Sequence, residues 1–466
     1  MNDSSIRAKT HTLLTPRASL VASGTQIHKR RILHPIHQCV TIAQKVIHHR
    51  PTDKLIDALI GMLAGAKGIV ETNTTVRADP AVQRAFGRHG CAEQSTIQDT
   101  LSHATADTVA QLQQACDEIF VEHSAAAWFG NSQTKLILDV DLSGLPCGKK
   151  AACATKGYFD GQYHRRGRQL GRVLVSPFDE VLADQIFAGN THLGPVLEGL
   201  MVCAERRLGL AEDAADAAVR ADILVRLDAG GGGLASCNYL LSRGYSLLTK
   251  DYSSQRARRL AESVTRWVND PRCAGRQVGW VMEPSHEYVR PVLRIAVRCR
   301  SEKGRWRTAV LVTSLWPEQA VERVWLSAQE WAHPDAELLA LVYLYDQRGG
   351  GAETSFKGDK QGLGMHKRAK RHWEGQQILT LLGMLAHNLV VWSRMWLGMV
   401  EGRVRHYGIE RMVRDVYHVH GRVVLNGWGQ VSKIVISATI PLAQRIGTAC
   451  RKLFGTHSIV ISLGKT

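Results

Sequence analysis

A chain of 466 residues with a formal charge of +17 has room for roughly two to four domains and one large core, and its surface field favours a polyanion, nucleic acid first of all. Apolar residues at 44% and charged residues at 22% exclude a disordered chain. The ten cysteines are scattered with no Cys-x-x-Cys pair, which excludes a zinc ribbon or a thioredoxin-type site and reads as reduced cytosolic thiols.

Residues 1–34 are polar and basic and read as a loose arm. They hold no continuous apolar stretch and no small-residue cleavage site, so the chain reads as cytoplasmic. "HPIHQCVTIAQKVIHH" (34–49) is rich in histidine but has no metal-site spacing with cysteines or carboxylates. From 35 to 126 apolar residues recur every three or four positions, with Ser95 and Thr105 placed to cap helices. The expectation is a helical N-terminal domain, either a plain bundle or a DNA-binding unit of the helix-turn-helix type.

The pattern changes at about 134. "TKLILDVDLSGLP" is a β-favouring run that acquires acids at its end, and "GRQLGRVLVSPF" (167–178) is a second strand. A helix over 191–207 leads to the strand "ADILVRLDA", which ends in Asp228 and a glycine run. "LASCNYLLSRGYSLLTK" then reads as helix and strand. Residues 127–272 therefore read as the first part of a mixed α/β core. Residues 273–332 read as a β-rich insertion, with a hairpin that alternates apolar residues with Arg294, Arg298 and Arg300. Helices return over 333–402, the second part of the core. The run at 379–400 is long enough to span a bilayer, but His387, Asn388, Ser393 and Arg394 near its middle make it a buried helix of a soluble domain. Residues 403–466 read as a hairpin and a helix.

Three acidic positions stand where chemistry would use them. Asp139 and Asp141 lie two apart on one strand and project from one face, Asp228 closes a second strand, and Glu353 follows the glycines of "YDQRGGGAETSFKGDK" (345–360). A buried carboxylate at a strand end is costly unless compensated, and an oxygen-only ligand set suits Mg²⁺ or Mn²⁺. A cap or a turn is the plain reading of any one of them taken alone.

Together, "LILDVDLS", "LVRLDAGGGG" and "YDQRGGGAETSFKGDK" resemble the three blocks of bacterial insertion-sequence DDE transposases, in the branch with a Tyr-x2-Arg-x3-Glu-x6-Lys signature. The resemblance covers residues 130–400. It implies an RNase H-like mixed sheet flanked by helices, with a β-rich insertion in the 353 − 228 = 125 positions between Asp228 and Glu353. It implies that Asp141, Asp228 and Glu353 hold Mg²⁺ or Mn²⁺ for cleavage and joining of DNA strands. In that family a Ser or Thr commonly follows the catalytic Asp at one residue's remove, which favours Asp141 over Asp139, the latter being an alternative ligand or a support. Tyr345, Arg348, Glu353 and Lys360 match the signature, and Arg348 and Lys360 would hold phosphates with Tyr345 supporting them. Lys357 and, in "HKRAKRHW" (366–373), Lys367 and Arg368 are further candidates for DNA contact, a solvated basic face being the alternative. Trp306 and Trp316 are candidates for stacking on a displaced base, core packing being the alternative.

The match departs from the signature at one place: four residues, not three, separate Arg348 from Glu353. On a continuous helix this would turn Glu353 by about 100°. Three glycines are poor helix, so Gly349–Gly351 are expected to form a break, with helix restarting near Ala352. The implied partners are double-stranded DNA, as transposon ends and as target, and a second copy of the chain when two ends are paired. An RNase H-like nuclease without strand transfer and a catalytically inactive DNA-binding relict are the alternatives.

Overall fold

The computed structural model describes residues 11–46, 48–131, 135–159, 161–210, 214–301, 303–456 and 459–464. In chain order the elements begin with β1 (His11–Thr15), α1 (Ala18–Lys29), α2 (His34–Cys39), α3 (Pro51–Leu63), α4 (Thr72–Thr75), α5 (Pro80–Ala85), α6 (Gln94–Ser102) and α7 (Ala106–His123). Then come β2 (Ile137–Pro146), β3 (Thr155–Phe159), β4 (Gln162–Val175), β5 (Glu180–Ala188), α8 (Leu193–Leu208), α9 (Ala214–Ala221), β6 (Leu224–Leu227), α10 (Leu234–Ser242), β7 (Ser246–Lys250) and α11 (Ser254–Ala261). The middle continues with β8 (Val268–Asn269), β9 (Arg276–Trp280), β10 (Leu293–Arg300), β11 (Trp306–Thr313), α12 (Pro317–Val321), α13 (Ala328–Trp331), α14 (Ala336–Asp346) and α15 (Ala352–Gly362). The chain closes with α16 (Trp373–Gly398), α17 (Ile409–Arg411), β12 (Gly421–Leu425), β13 (Val431–Ser437), α18 (Pro441–Phe454) and β14 (Val460–Gly464).

Packing divides these elements into two units: one of Met1–Ser124, Pro146–Ala154 and Ser355–Thr466, the other of Ala125–Leu145 and Thr155–Thr354. The division differs from the boundaries that composition suggests. The stretch 333–402 is split after Thr354, and its long apolar helix belongs with the N-terminal helices.

In the first unit α16 is the axis, packed by α3, α6 and α7. It is long and apolar enough to cross a membrane, and 89% of its most apolar window is buried inside the protein. Thr105 caps α7 by accepting from the Thr108 N–H. Ser95 is no cap, because α6 begins one residue earlier, with Glu93 in the cap position. The expected arm is a correction: its residues 1–10 lie outside the described residues, but from His11 onward it is structured. β1 pairs antiparallel with β12, and α1 is buried along most of its length. Its small residues let it pack closely; a Cβ at Gly24 would stand 2.4 Å from the Phe86 ring. The C-terminal hairpin is likewise part of a larger sheet, in the order β1-β12-β13-β14.

The second unit is a mixed α/β unit. Among the described residues its sheet runs β3-β4-β2-β6-β7-β11-β10-β9-β8, with β5 also on β4. Strands β2, β6 and β7 are parallel, joined through helices as parallel pairing requires. Strands β4 and β5 form an antiparallel pair in which Arg172 faces Asp184, and their side chains form a buried ion pair at 2.6 Å. The β-rich region over 273–332 is not a separate module. Its hairpin β10–β11 has the expected alternation, and β11 pairs antiparallel with β7, which carries the core sheet onward. Leu311 of β11, Leu248 of β7 and Leu224 of β6 share one apolar cluster with Leu338–Leu344 of α14. That burial holds α14 against the sheet and fixes where its C-terminal end arrives.

Candidate active site

Asp139 and Asp141 both stand on β2, and the fold gives them different surroundings. Asp139 is fully buried. In the parallel register it faces Arg226 of β6, whose Nε and Nη2 donate to its two oxygens at 2.7 and 2.8 Å. Ser176 donates a further hydrogen bond to the same carboxylate. The third guanidinium nitrogen of Arg226 donates to the Leu344 carbonyl at 2.6 Å, so one buried cation ties β2 to the end of α14. Its charge and the Asp139 charge compensate each other, as a buried pair must.

The glycine turn sits against this pair. Helix α14 ends at Asp346, residues Gln347–Gly350 make a 3₁₀ turn, and α15 begins at Ala352, so helix does break and restart at the expected place. Of the three glycines, only Gly351 is needed for space. A Cβ there would stand 2.1 Å from Asp139 Oδ2, whereas at Gly349 and Gly350 it would meet nothing within 4 Å. The Asp139 carboxylate is pinned by three hydrogen bonds and cannot yield. Gly351→Ala is therefore expected to cost about 1–3 kcal/mol of stability in urea unfolding, and Gly349→Ala to stay within about 0.5 kcal/mol of wild type. Equal effects at the two positions would mean that the close approach does not matter.

Asp141, two residues along the strand, is left for the site. Its carboxylate lies 2.9 Å from Arg348 Nη2 and accepts from the Leu142 N–H at 2.8 Å. Burial pushes its pKa up to about 6, with Arg348 opposing and the Asp228 and Glu353 charges adding to the rise. The charges of Asp228 and Glu353 thus both reach Asp141. Asp228 is half-buried, and its Oδ1 also accepts from the Gly231 N–H at 3.1 Å, so it caps the glycine turn as well. Glu353 is exposed in the first turn of α15. Burial works against the Arg348 charge, but Asp141 and Asp228 outweigh it and raise its pKa. Tyr345 is pushed up to about 12 by burial, beside Arg348, Asp228 and Asp141.

The donor set is oxygen-only and self-repelling, the kind a hard divalent cation neutralises. Among the described residues, however, no three His, Cys, Asp or Glu side chains are grouped closely enough to hold an ion, and the positive charge beside Asp141 is that of Arg348. Arg348 is itself more than nine-tenths buried, and its Nε and Nη2 have no aligned hydrogen-bond acceptor. The Asp141 contact is therefore a close charge pair rather than a hydrogen bond.

The raised pKa has a consequence for stability without a divalent cation. The folded protein binds the Asp141 proton more tightly than the unfolded chain, so Asp141 contributes stability below its ordinary carboxylate pKa, and that contribution is lost as pH rises through about 6. The difference is at most about 3 kcal/mol at roughly 1.4 kcal/mol per pH unit. In EDTA, Asp141→Asn is expected to lose less stability than wild type between pH 4 and pH 8. Parallel pH profiles would contradict this.

The other residues indicated by the sequence divide sharply. Lys357 and Lys367 are exposed and Lys360 is half-buried. Arg368 is a correction: it is 1% exposed, donates to the Leu363 carbonyl at 3.1 Å and to the Ala66 carbonyl, and is held down to about 10 by burial. It ties loops together and is closed to DNA. Neither tryptophan is in the core, since Trp306 is 39% and Trp316 60% exposed. Arg298 lies 4.6 Å from the Trp306 ring centroid and 3.8 Å from that of Trp267. The arginine face of the hairpin is not one open surface either, because Arg294 is buried and donates to the Pro284 carbonyl at 2.9 Å. Sequence reasoning missed Arg226. The available signal was an arginine inside the apolar run "ILVRLD", where a buried cation needs a buried acid.

No family model matches the chain, and no curated protein matches it. Among solved structures, it is similar to a piggyBac transposase in a synaptic complex with hairpin DNA, at a TM-score of 0.46 and 12% identity, over 87% of this chain and 82% of that one.

Proposed function

We propose that the chain is a DNA transposase that binds the terminal inverted repeats of its own element, cuts at the ends and joins them to target DNA. The observation that carries this reading is the Asp141 carboxylate on β2, 2.9 Å from Arg348 and within reach of the charges of Asp228, which follows β6, and Glu353, which follows the glycine turn. The sheet supports an RNase H-like core: β2 is central, the β4–β5 hairpin lies on one side and parallel β6 and β7 on the other. In this reading Asp141, Asp228 and Glu353, which are not grouped at ion-holding distance in this structure, would have to draw together to hold Mg²⁺ or Mn²⁺, which when bound would supply activation of a water or 3′-hydroxyl and stabilisation of the leaving oxygen. Asp139 is not the first acid in this reading, because both its oxygens are committed to Arg226.

The chain's own residues then have distinct tasks. Arg348, whose Nε and Nη2 are closed to solvent with Nη2 against Asp141, would have to turn away from Asp141 to grip a phosphate in a fork. Tyr345 stays neutral and supports it. Lys357, Lys360 and Lys367 are point charges for the DNA backbone. The chain would act on DNA in the cytoplasm, as a pair of copies when two ends are brought together. One observation favours a second reading, an inactive DNA-binding relict: the acids are not grouped at ion-holding distance, and Arg348 stands on Asp141.

The test is incubation of the full chain with DNA bearing the inverted repeats that flank its gene, in Mg²⁺ and in EDTA. Cleavage that needs Mg²⁺ and yields products joined to target DNA supports transposition. Cleavage without joining points to a nuclease. Tight binding with no cleavage points to the relict.

A further inference from the structure

The glycine run after Asp228 leads into a cleft of about 670 Å³ whose lining includes none of the three acids themselves. Its walls include His192, Gly194 and Pro195 at the start of α8 and Gly233, Ala235 and Ser236 at the start of α10. Both helices begin without a side-chain cap, so the N–H groups of Leu193 and Gly194 in one first turn, where Pro195 has none, and of Leu234, Ala235 and Ser236 in the other lack intrahelical partners. The two turns adjoin, since a Cβ at Gly194 would stand 3.4 Å from Ser236 Oγ. At Gly233 a Cβ would meet nothing within 4 Å.

A second observation indicates a ligand. Ser236 is 8% exposed and lines the cleft, and none of the described residues partners its hydroxyl. Tyr239 lines the same wall with its ring, but its Oη is closed to solvent and lies near Arg243 and Glu205 rather than in the open space. The free N–H groups of two helix starts beside one unpartnered hydroxyl fit an anion with several acceptor oxygens. Leu197, Tyr239 and the 69% exposed Tyr252 add apolar and aromatic surface, as a sugar and base need. The volume suits one nucleotide unit rather than a bare ion. Gly230, on the cleft wall, adjoins the candidate catalytic acid: a Cβ there would be 3.1 Å from Asp228 Oδ1.

We propose that this cleft seats one nucleotide of a DNA strand, its phosphate on the paired starts of α8 and α10, and so guides the strand past Asp228. The identity of the ligand as DNA rests on the transposase reading. The seat itself rests on the two helix starts and the Ser236 hydroxyl. Glu198, exposed on the cleft wall, works against the phosphate and gives the test a second sign.

The experiment measures binding of a short labelled single-stranded oligonucleotide to the full chain in EDTA, with inorganic phosphate as competitor. Ser236→Asp puts a carboxylate in the phosphate seat at a helix start, where it does not destabilise the helix. It is expected to weaken binding about tenfold and to abolish competition by phosphate, with thermal stability unchanged. Ser236→Ala is expected to weaken binding about threefold, and Glu198→Gln to strengthen it about twofold. Wild-type affinity in a folded Ser236→Asp variant overturns the proposal. Because no cleavage is needed, a chain that binds but never cuts would count against the transposase reading and leave the seat intact.

Discussion

Arg226→Met is expected to lower the unfolding free energy by about 3–5 kcal/mol, the usual cost of stranding one member of a buried ion pair. The stranded group is the fully buried Asp139, whose two oxygens accept from Arg226 at 2.7 and 2.8 Å. Only Ser176 would remain as its side-chain partner. The double variant Asp139→Leu/Arg226→Met removes both charges and is expected to recover most of the loss, because apolar replacements of a buried pair are often neutral. Recovery should stop short of complete, since the hydrogen bond to the Leu344 carbonyl is gone in both variants. Urea unfolding at neutral pH reads all three free energies. A single variant that loses less than about 1 kcal/mol would mean that water or a rearranged neighbour compensates Asp139.

Much of this arrangement is legible in the sequence, and the gaps have physical causes. Strands β2, β6 and β7 and helices α8 and α10 are readable because parallel, doubly covered strands form continuous apolar runs. The break at the glycines is readable because one extra residue before Glu353 would misplace it by a large helical angle. Which glycine is indispensable is not readable, since the need at Gly351 comes from Asp139, a residue more than two hundred positions earlier. The same holds for the N-terminal arm. Its charges lie at the ends of an otherwise small and apolar segment, and β1 finds its partner only in β12. Arg368 is not legible because a basic run looks solvated, whereas its guanidinium serves two backbone carbonyls. The β-rich insertion looked separable because local alternation defines a hairpin but cannot reveal that β11 pairs with β7.

Glu353→Ala is expected to reduce Mg²⁺-dependent cleavage by about a thousandfold or more, equivalent to roughly 4 kcal/mol of lost transition-state stabilisation, with DNA binding retained within about twofold. Glu353 is exposed, so its removal leaves the core intact, and the effect should appear in the cleavage rate rather than in stability. The two aspartates of β2 supply the contrast. Asp141→Ala should likewise abolish cleavage in a folded protein, because Asp141 sits beside Arg348 among the three acids. Asp139→Ala should lose stability first, because it strands the buried Arg226. Two outcomes would redraw the site. An active Asp141→Ala variant would move the first acid elsewhere. Wild-type protein that binds its DNA tightly in Mg²⁺ and does not cut, as Glu353→Ala also does not, would leave Arg348 as the standing partner of Asp141 and favour the DNA-binding relict.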